Sequence, residues 1–202
     1  MSLDGYVAGP NQSVDEPLGE GGEGLHEWAF ALDAWRRAHG QGGGETNPST
    51  DVVEQGLART GAYIMGRKMF GGGTGPWGDD PWTGWWGEEP PFHKPVFVLT
   101  HHPRQPLELT GTTFTFVTDG IESALAQARE AAGEKDVQVS GGAEACSQYL
   151  AAGLADELQI NLAPILLGGG ERLFAGVGAD LKLEQTRAVE APGVTHLFYR
   201  VG

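Results

Sequence analysis

Three short stretches of this chain carry residue types suited to gripping an anion. Gly66-Arg67-Lys68 follows the apolar run Ala62-Tyr63-Ile64-Met65, and Thr100-His101-His102-Pro103-Arg104 follows Val96-Phe97-Val98-Leu99. Gly141-Gly142 follows Val137-Gln138-Val139-Ser140. Glycine removes the Cβ that would block close approach of a ligand. Turn N–H groups at the start of a helix can point at an anion, and Arg or Lys adds charge-assisted hydrogen bonds to phosphate. Taken singly, each stretch also resembles any buried strand that ends in a turn with surface cations. Gly66-Arg67-Lys68 matches neither the GxGxxG nor the P-loop pattern.

Taken together, the stretches say more. The chain has only 13 Lys and Arg against 27 Asp and Glu, so a local grouping of cations is informative. Ligands of open α/β sheets bind beyond the carboxyl ends of the strands. If the three strands are parallel neighbours, their turns line one place. Two imidazoles with Arg104 suit a phosphate monoester, and the glycine turns suit a pyrophosphate. That combination favours a phosphorylated dinucleotide such as NADPH over NADH, whose ribose calls for a carboxylate.

A redox dinucleotide needs an acceptor and a proton source. Asp4, just past a strand-like run of small residues, is the first candidate, ahead of Asp33 and Glu27; the ordinary alternative for each is a solvated surface carboxylate. Trp28 has a flat face for a heterocycle, although its spacing with Leu25, Leu32 and Trp35 also suits a core position. Gly168, Gly169 and Gly170 either border a substrate or form a flexible turn. His26 and His196 have no partners at metal-ligand spacing, so no metal is assigned.

Size and composition limit the remaining classes. A chain of 202 residues is most simply one domain spanning 1–202, long enough to bury roughly 70% of its unfolded surface. No run approaches the length of a membrane span, and the start lacks the layout of a signal peptide. The formal charge of −14 argues against a nucleic-acid-binding face. Cys146 is the single cysteine, which excludes an internal disulfide and fits a reducing cytoplasm.

The elements that must position these residues follow from periodicity. A strand tail over 2–10 precedes a Gly- and acid-rich loop at 11–24. Leu25, Trp28, Ala29, Leu32 and Trp35 predict one amphipathic helix ending by Gly40. Asp51 and Glu54 resemble a capping box for a helix running to about Arg59. The 71–91 segment holds seven glycines with Trp77, Trp82, Trp85 and Trp86 and reads as an irregular loop, either a rim over a flat ligand or a cover for core or partner surface. Strands are expected at 96–100, 113–118, 137–140, 157–167, 181–189 and 195–201. Asp119 with Glu122 reads as the cap of a helix whose Ile121, Ala124, Leu125 and Ala128 face inward, and a second helix carries Cys146 and Leu150. Ala191-Pro192-Gly193 marks a closing hairpin. The result is an α/β fold in three layers, with a mixed, mainly parallel sheet of about eight strands, flanking helices and a C-terminal antiparallel hairpin.

In its order of motifs the chain resembles the dihydrofolate reductase-like superfamily. The likeness is greatest to the reductase domain of bifunctional riboflavin-biosynthesis deaminase/reductase enzymes and its stand-alone relatives. It rests on Ser2-Leu3-Asp4-Gly5, Gly66-Arg67-Lys68-Met69-Phe70, Val98-Leu99-Thr100 with its basic turn, Ser140-Gly141-Gly142, and Pro164 to Gly170 through Leu173-Phe174. The resemblance implies an NADPH-dependent reductase. Gly66, Arg67 and Lys68 match its phosphate-binding turn, and Thr100, His101, His102 and Arg104 fall where it handles the adenosine 2′-phosphate. Ser140, Gly141 and Gly142 stand beside the pyrophosphate, and Asp4 beside the substrate and nicotinamide.

The expected reaction is hydride transfer to a flat nitrogen heterocycle, pterin-like or resembling 5-amino-6-(5-phosphoribosylamino)uracil, as in riboflavin biosynthesis. The alternative is a non-catalytic dinucleotide- or partner-binding module on the same fold. A homodimer through a sheet edge or the Trp-rich loop is compatible with either reading. Two features depart from the family pattern. Met1 directly precedes the Ser-Leu-Asp-Gly motif where an apolar strand is usual, and the tryptophan-rich segment is unforeseen by the motifs.

Overall fold

Val96, Phe97 and Val98 are all buried, as a strand with both faces covered requires. Around that strand the chain builds a parallel sheet. The computed structural model describes residues 1–202. In chain order its elements are β1 (Tyr6–Ala8), a 3-10 turn (Gly22–Leu25), α1 (Glu27–Phe30), α2 (Asp33–Ala38), α3 (Pro48–Arg59), β2 (Thr60–Gly66), α4 (Arg67–Phe70), β3 (Val96–Leu99) and β4 (Leu107–Leu109). There follow β5 (Thr112–Val117), α5 (Ile121–Ala132), β6 (Asp136–Gly141), α6 (Ala143–Ala151), β7 (Glu157–Leu162), β8 (Glu171–Arg172), β9 (Leu183–Ala191) and β10 (Val194–Val201). They fall into two compact units, one of residues 56–146 and one of residues 1–55 with 147–202.

The 56–146 unit carries a five-stranded sheet in the order β4-β5-β3-β2-β6. β2 runs parallel to both β3 and β6, and β3 runs parallel to β5. Only β4 is antiparallel, at the edge. Side chains alternate across a strand, so Tyr63 and Met65 share one face and Ala62 and Ile64 the other. The Tyr63 face forms a cluster with Phe70, Val96, Val98, Phe114 and Phe116, against which Trp77, Trp82 and Trp86 pack. Helix α5 contacts β2, β3 and β6 and buries Ala124, Leu125, Ala128 and Ala132. The irregular tryptophan segment is therefore a cover for the core, serving as a layer on one face of the sheet.

The other unit holds the antiparallel hairpin of β9 and β10, extended to the order β7-β10-β9, and a two-stranded pairing of β1 with β8. The turn at Gly193 takes a positive φ of 72°. Residues 1–3 run alongside the chain after β7. The Met1 ammonium donates to Asn161 O at 2.6 Å, Ala163 N–H to Met1 O at 2.9 Å, and Leu3 N–H to Ile165 O at 2.9 Å.

The mixed, mainly parallel α/β sheet with flanking helices and a closing antiparallel hairpin is as the sequence predicts. Several local expectations are corrected. The stretch around Leu25–Trp35 is not one helix, because Leu32 adopts an extended conformation and bridges to Glu45 while becoming fully buried. Helix α3 starts at Pro48 rather than Asp51. Asn47 Oδ1 accepts from Ser49 N–H at 2.9 Å, so the cap is an Asn four residues upstream of the expected box. The residue capping α5 is Gly120, without a side-chain capping bond. Strand β7 stops at Leu162, two residues before Pro164, which has no N–H for a ladder. β4 and β8 are additional strands, too short for any alternation to register.

Candidate functional site

The strand order brings the three anion-type turns together. β3, β2 and β6 are parallel neighbours, with Gly66 opposite Leu99 and Met65 opposite Gly141. Their carboxyl ends therefore lie side by side on one edge of the 56–146 unit. Gly66 marks the closest approach. A Cβ there would lie 3.4 Å from Ala145 Cβ and 3.7 Å from Gly142 N, ordinary contact distances, so the space between the first and third turns is about one methyl group wide. β5 ends at the same edge, where Thr100 N–H donates to Val117 O at 3.0 Å.

Arg67 opens α4 but is not extended into solvent. Its side chain is buried, its Nε–H donates to Gly71 O at 3.1 Å and its Nη2–H to Gly72 O at 2.9 Å. Nη1 is buried with no hydrogen-bond partner. Burial, then the nearby charge of Arg104, lowers its pKa from the ordinary guanidinium value. Arg104 is half-buried, and its Nη1–H donates to Trp82 O at 2.5 Å. Neither guanidinium takes part in an ion pair, although the chain carries 27 carboxylates. Two like charges close together, one of them buried, are costly unless something negative compensates them.

Lys68 and His101 are exposed. Thr100 is buried and accepts from His102 N–H at Oγ1, 3.2 Å away. Ser140 is the last residue of β6 but one, and the Gly141–Gly142 peptide is cis. Sequence reasoning missed two participants. Met69 Sδ would lie 3.2 Å from a Cβ at Gly141, and the Trp77 ring is shared by Arg67 and Arg104. Met69 follows directly on Arg67-Lys68 and was visible; Trp77 joins the edge only through tertiary packing.

Asp4, Trp28, Gly168 and Gly169 belong to the other unit. Asp4 is a hydrogen-bond acceptor on all sides. Its Oδ1 accepts from Ser2 Oγ at 2.5 Å and Leu167 N–H at 3.2 Å, and its Oδ2 accepts from Gly168 N–H at 2.7 Å. The bond from Ser2, with those from the two amides, holds its pKa down at about 2, so it is ionised at neutral pH. Asp4 and Gly168 are thus in direct contact, and Gly169 follows in the same turn. Trp28 is elsewhere in this unit. Its Nε1–H donates to Leu25 O at 3.0 Å, and its ring meets His196 edge-on at 4.9 Å, a packing role. Asp33 is ion-paired to Arg37 at 2.9 Å, and Glu27 is exposed. No group of three or more His, Cys, Asp or Glu side chains is arranged to hold a metal. No helix is long and apolar enough to cross a membrane.

A parallel sheet whose adjacent strand ends carry glycine and cationic turns is that of an open α/β domain. The chain belongs to the family of the RibD C-terminal domain, whose pattern matches residues 1–197. It is 28% identical over 209 residues to the uncharacterized protein YyaP of Bacillus subtilis (strain 168), covering 98% of this chain and 90% of that one. A putative riboflavin biosynthesis protein from Shewanella sp. PV-4 shares the fold with a TM-score of 0.61 and 22% identity, over 100% of this chain and 95% of that one. So does a diaminohydroxyphosphoribosylaminopyrimidine deaminase/5-amino-6-(5-phosphoribosylamino)uracil reductase from Thermotoga maritima, at a TM-score of 0.55 and 13% identity. There the match covers 100% of this chain and 54% of the other.

Proposed function

We propose that residues 1–202 act as a single NADPH-dependent reductase domain that delivers hydride to a flat nitrogen heterocycle. The acceptor is pterin-like or resembles 5-amino-6-(5-phosphoribosylamino)uracil, as in riboflavin biosynthesis. The observation that carries this reading is the pair Arg67 and Arg104, which have no carboxylate partner and sit at the edge where three parallel strands end. The buried, unpartnered Nη1 of Arg67 and the backbone gap at Gly66 fit an anionic ligand. Family membership and the reductase activity named for the Thermotoga maritima protein support it further.

Bound NADPH would supply the hydride. In this reading Gly66, Ser140, Gly141 and Gly142 admit the pyrophosphate, with Lys68 adding charge. Thr100, His101, His102 and Arg104 hold the adenosine 2′-phosphate, and Arg67 contributes its positive field from beneath them. Gly168 and Gly169 border the acceptor. Asp4, ionised and tied to Leu167 and Gly168, fixes that turn and can accept a hydrogen bond from an N–H of the heterocycle; it does not hold a proton to give. The proton then comes from solvent or another group. The half-buried thiol of Cys146, its pKa pushed up to about 11 by burial, stays protonated at neutral pH and suits a cytoplasmic setting.

Titrating the protein with NADPH while following tryptophan fluorescence tests the reading. Saturable quenching at micromolar cofactor, much weaker with NADH, is expected; no binding up to millimolar concentrations overturns it. Tight NADPH binding with no turnover across a panel of pterins and aminouracils would leave a binding module instead, a reading that the ionised Asp4 carboxylate, with no proton to give, favours.

A further inference from the structure

Trp77 lies in a segment without regular structure, yet its ring is a meeting point of charge. The Arg67 Cζ lies 3.1 Å from its centroid and the Arg104 Cζ 4.8 Å from the same centroid. The indole N–H donates to His102 O at 2.8 Å, and the ring packs edge-on against Phe116 at 4.9 Å and Phe70 at 5.9 Å. We propose that Trp77 is a positioning residue that makes the dinucleotide site selective for an adenosine carrying a 2′-phosphate, by holding Arg67 and Arg104 together and fixing the turn that bears Arg104. This inference rests on the dinucleotide reading above.

Two guanidiniums repel, and no carboxylate is present to relieve them. An indole ring is the side chain whose quadrupole best attracts a cation. Sharing one ring therefore offsets part of the repulsion without neutralising either charge, so that half-buried Arg104 can meet an anion while buried Arg67 adds its field. The bond to His102 O ties the ring to residues 100–104, where His102 N–H already bonds to Thr100 Oγ1. Arg104 is held a second time by Trp82 O and a third by the Phe116 ring, 4.8 Å from its Cζ. A turn ordered before the ligand arrives loses less entropy on binding. A ligand with a 2′-phosphate gains from this order because the 2′-phosphate is the group that meets the paired charges.

The test uses adenosine 2′,5′-bisphosphate and adenosine 5′-monophosphate as probes, measured by calorimetry so that loss of a tryptophan does not alter the signal. Trp77→Leu should weaken the bisphosphate about tenfold and the monophosphate less than threefold. Trp77→Phe, which keeps an aromatic face but not the N–H, should recover most of the loss. A double-mutant cycle of Trp77→Met, which keeps bulk but no ring, with Arg104→Gln should be non-additive for the bisphosphate, and it remains informative if Trp77→Leu does not fold. Equal weakening of both probes by Trp77→Leu, no weakening of either, or full additivity in the cycle overturns the role of Trp77. If the unaltered protein binds neither probe, the dinucleotide reading falls and this inference with it.

Discussion

Ser49 Oγ and His196 Nε2 lie 2.8 Å apart, both buried, although 147 residues separate them in the chain. On the other side of the ring, Nδ1 faces Asn161 Oδ1 at 2.7 Å, and that oxygen also accepts from Gln159 Nε2 at 3.0 Å. In this arrangement Nδ1 carries the hydrogen and Nε2 accepts from the serine, which is the neutral imidazole. Burial, then the charge of Arg187, pushes the pKa of His196 down to about 4 from its ordinary 6.5. With Ser49 inaccessible, the Ser-His-Asn chain is a structural tie and no nucleophile.

A pH dependence of stability follows. The unfolded chain binds a proton on this histidine below about 6.5 and the folded chain does not until about 4, so the stabilisation is complete above the first value and lost between the two. The loss amounts to roughly 3 kcal/mol. Urea denaturation at pH 7.5 and pH 4.5 should show it, and His196→Gln should flatten the dependence in that window. Asp4, depressed to about 2, acts in a lower window, with its contribution present above about 4 and lost toward 2.

Asp4→Asn should lower the melting temperature and the turnover but leave the shape of the pH–rate profile unchanged between pH 5 and 8. An ionised carboxylate cannot contribute an acid limb there. A limb near pH 6 in the parent protein that disappears in Asp4→Asn would show that the carboxyl carries a proton in the complex.

Gly66→Ala separates binding from folding. Gly66 has φ −80° and ψ 159°, a conformation open to any residue, and the added Cβ would meet Ala145 Cβ at an ordinary 3.4 Å. The fold should keep its stability within about 1 kcal/mol, while NADPH binding weakens about tenfold because the gap beside Gly142 N is filled. Paired melting curves and cofactor titrations check both halves.

Gly72 and Gly73 both take positive φ, 77° and 73°, but differ in surroundings. A Cβ at Gly72 would fall 2.5 Å from Trp82 Cβ, whereas one at Gly73 meets nothing within 4 Å. Gly73→Ala should therefore cost about 1 kcal/mol, from backbone strain alone. Gly72→Ala should cost about 2–3 kcal/mol, since Trp82 must also move. Equal losses in chemical denaturation would mean that the clash is relieved elsewhere.

The parallel sheet and the adjacency of its three polar turns were legible because fully buried strands announce themselves as apolar runs, and Gly66, Thr100 and Gly141 punctuate them. Asp4 was legible as a candidate carboxylate but not in its protonation, which depends on amides 163 and 164 residues away. The single helix expected around Trp28 failed because periodicity reports which side chains seek the core, and Leu32 reaches it from an extended backbone. Trp77 was legible only as one of four tryptophans. Nothing in local spacing can show that its ring lies beside two arginines from different strand ends. The burial of Arg67 was hidden for the same reason, since a guanidinium under an indole looks in sequence like any surface cation.

Four of the six tryptophans, Trp77, Trp82, Trp85 and Trp86, sit in the 71–91 segment, and Trp82 and Trp85 hydrogen-bond through their indoles to Phe70 O and Met69 O at the end of α4. Intrinsic fluorescence of this protein is consequently a local gauge, weighted toward one covering segment of one unit. A fluorescence melt will register when that segment lifts from the sheet, and circular dichroism will register when the sheet itself is lost. Divergence of the two curves would measure how independently the cover can detach.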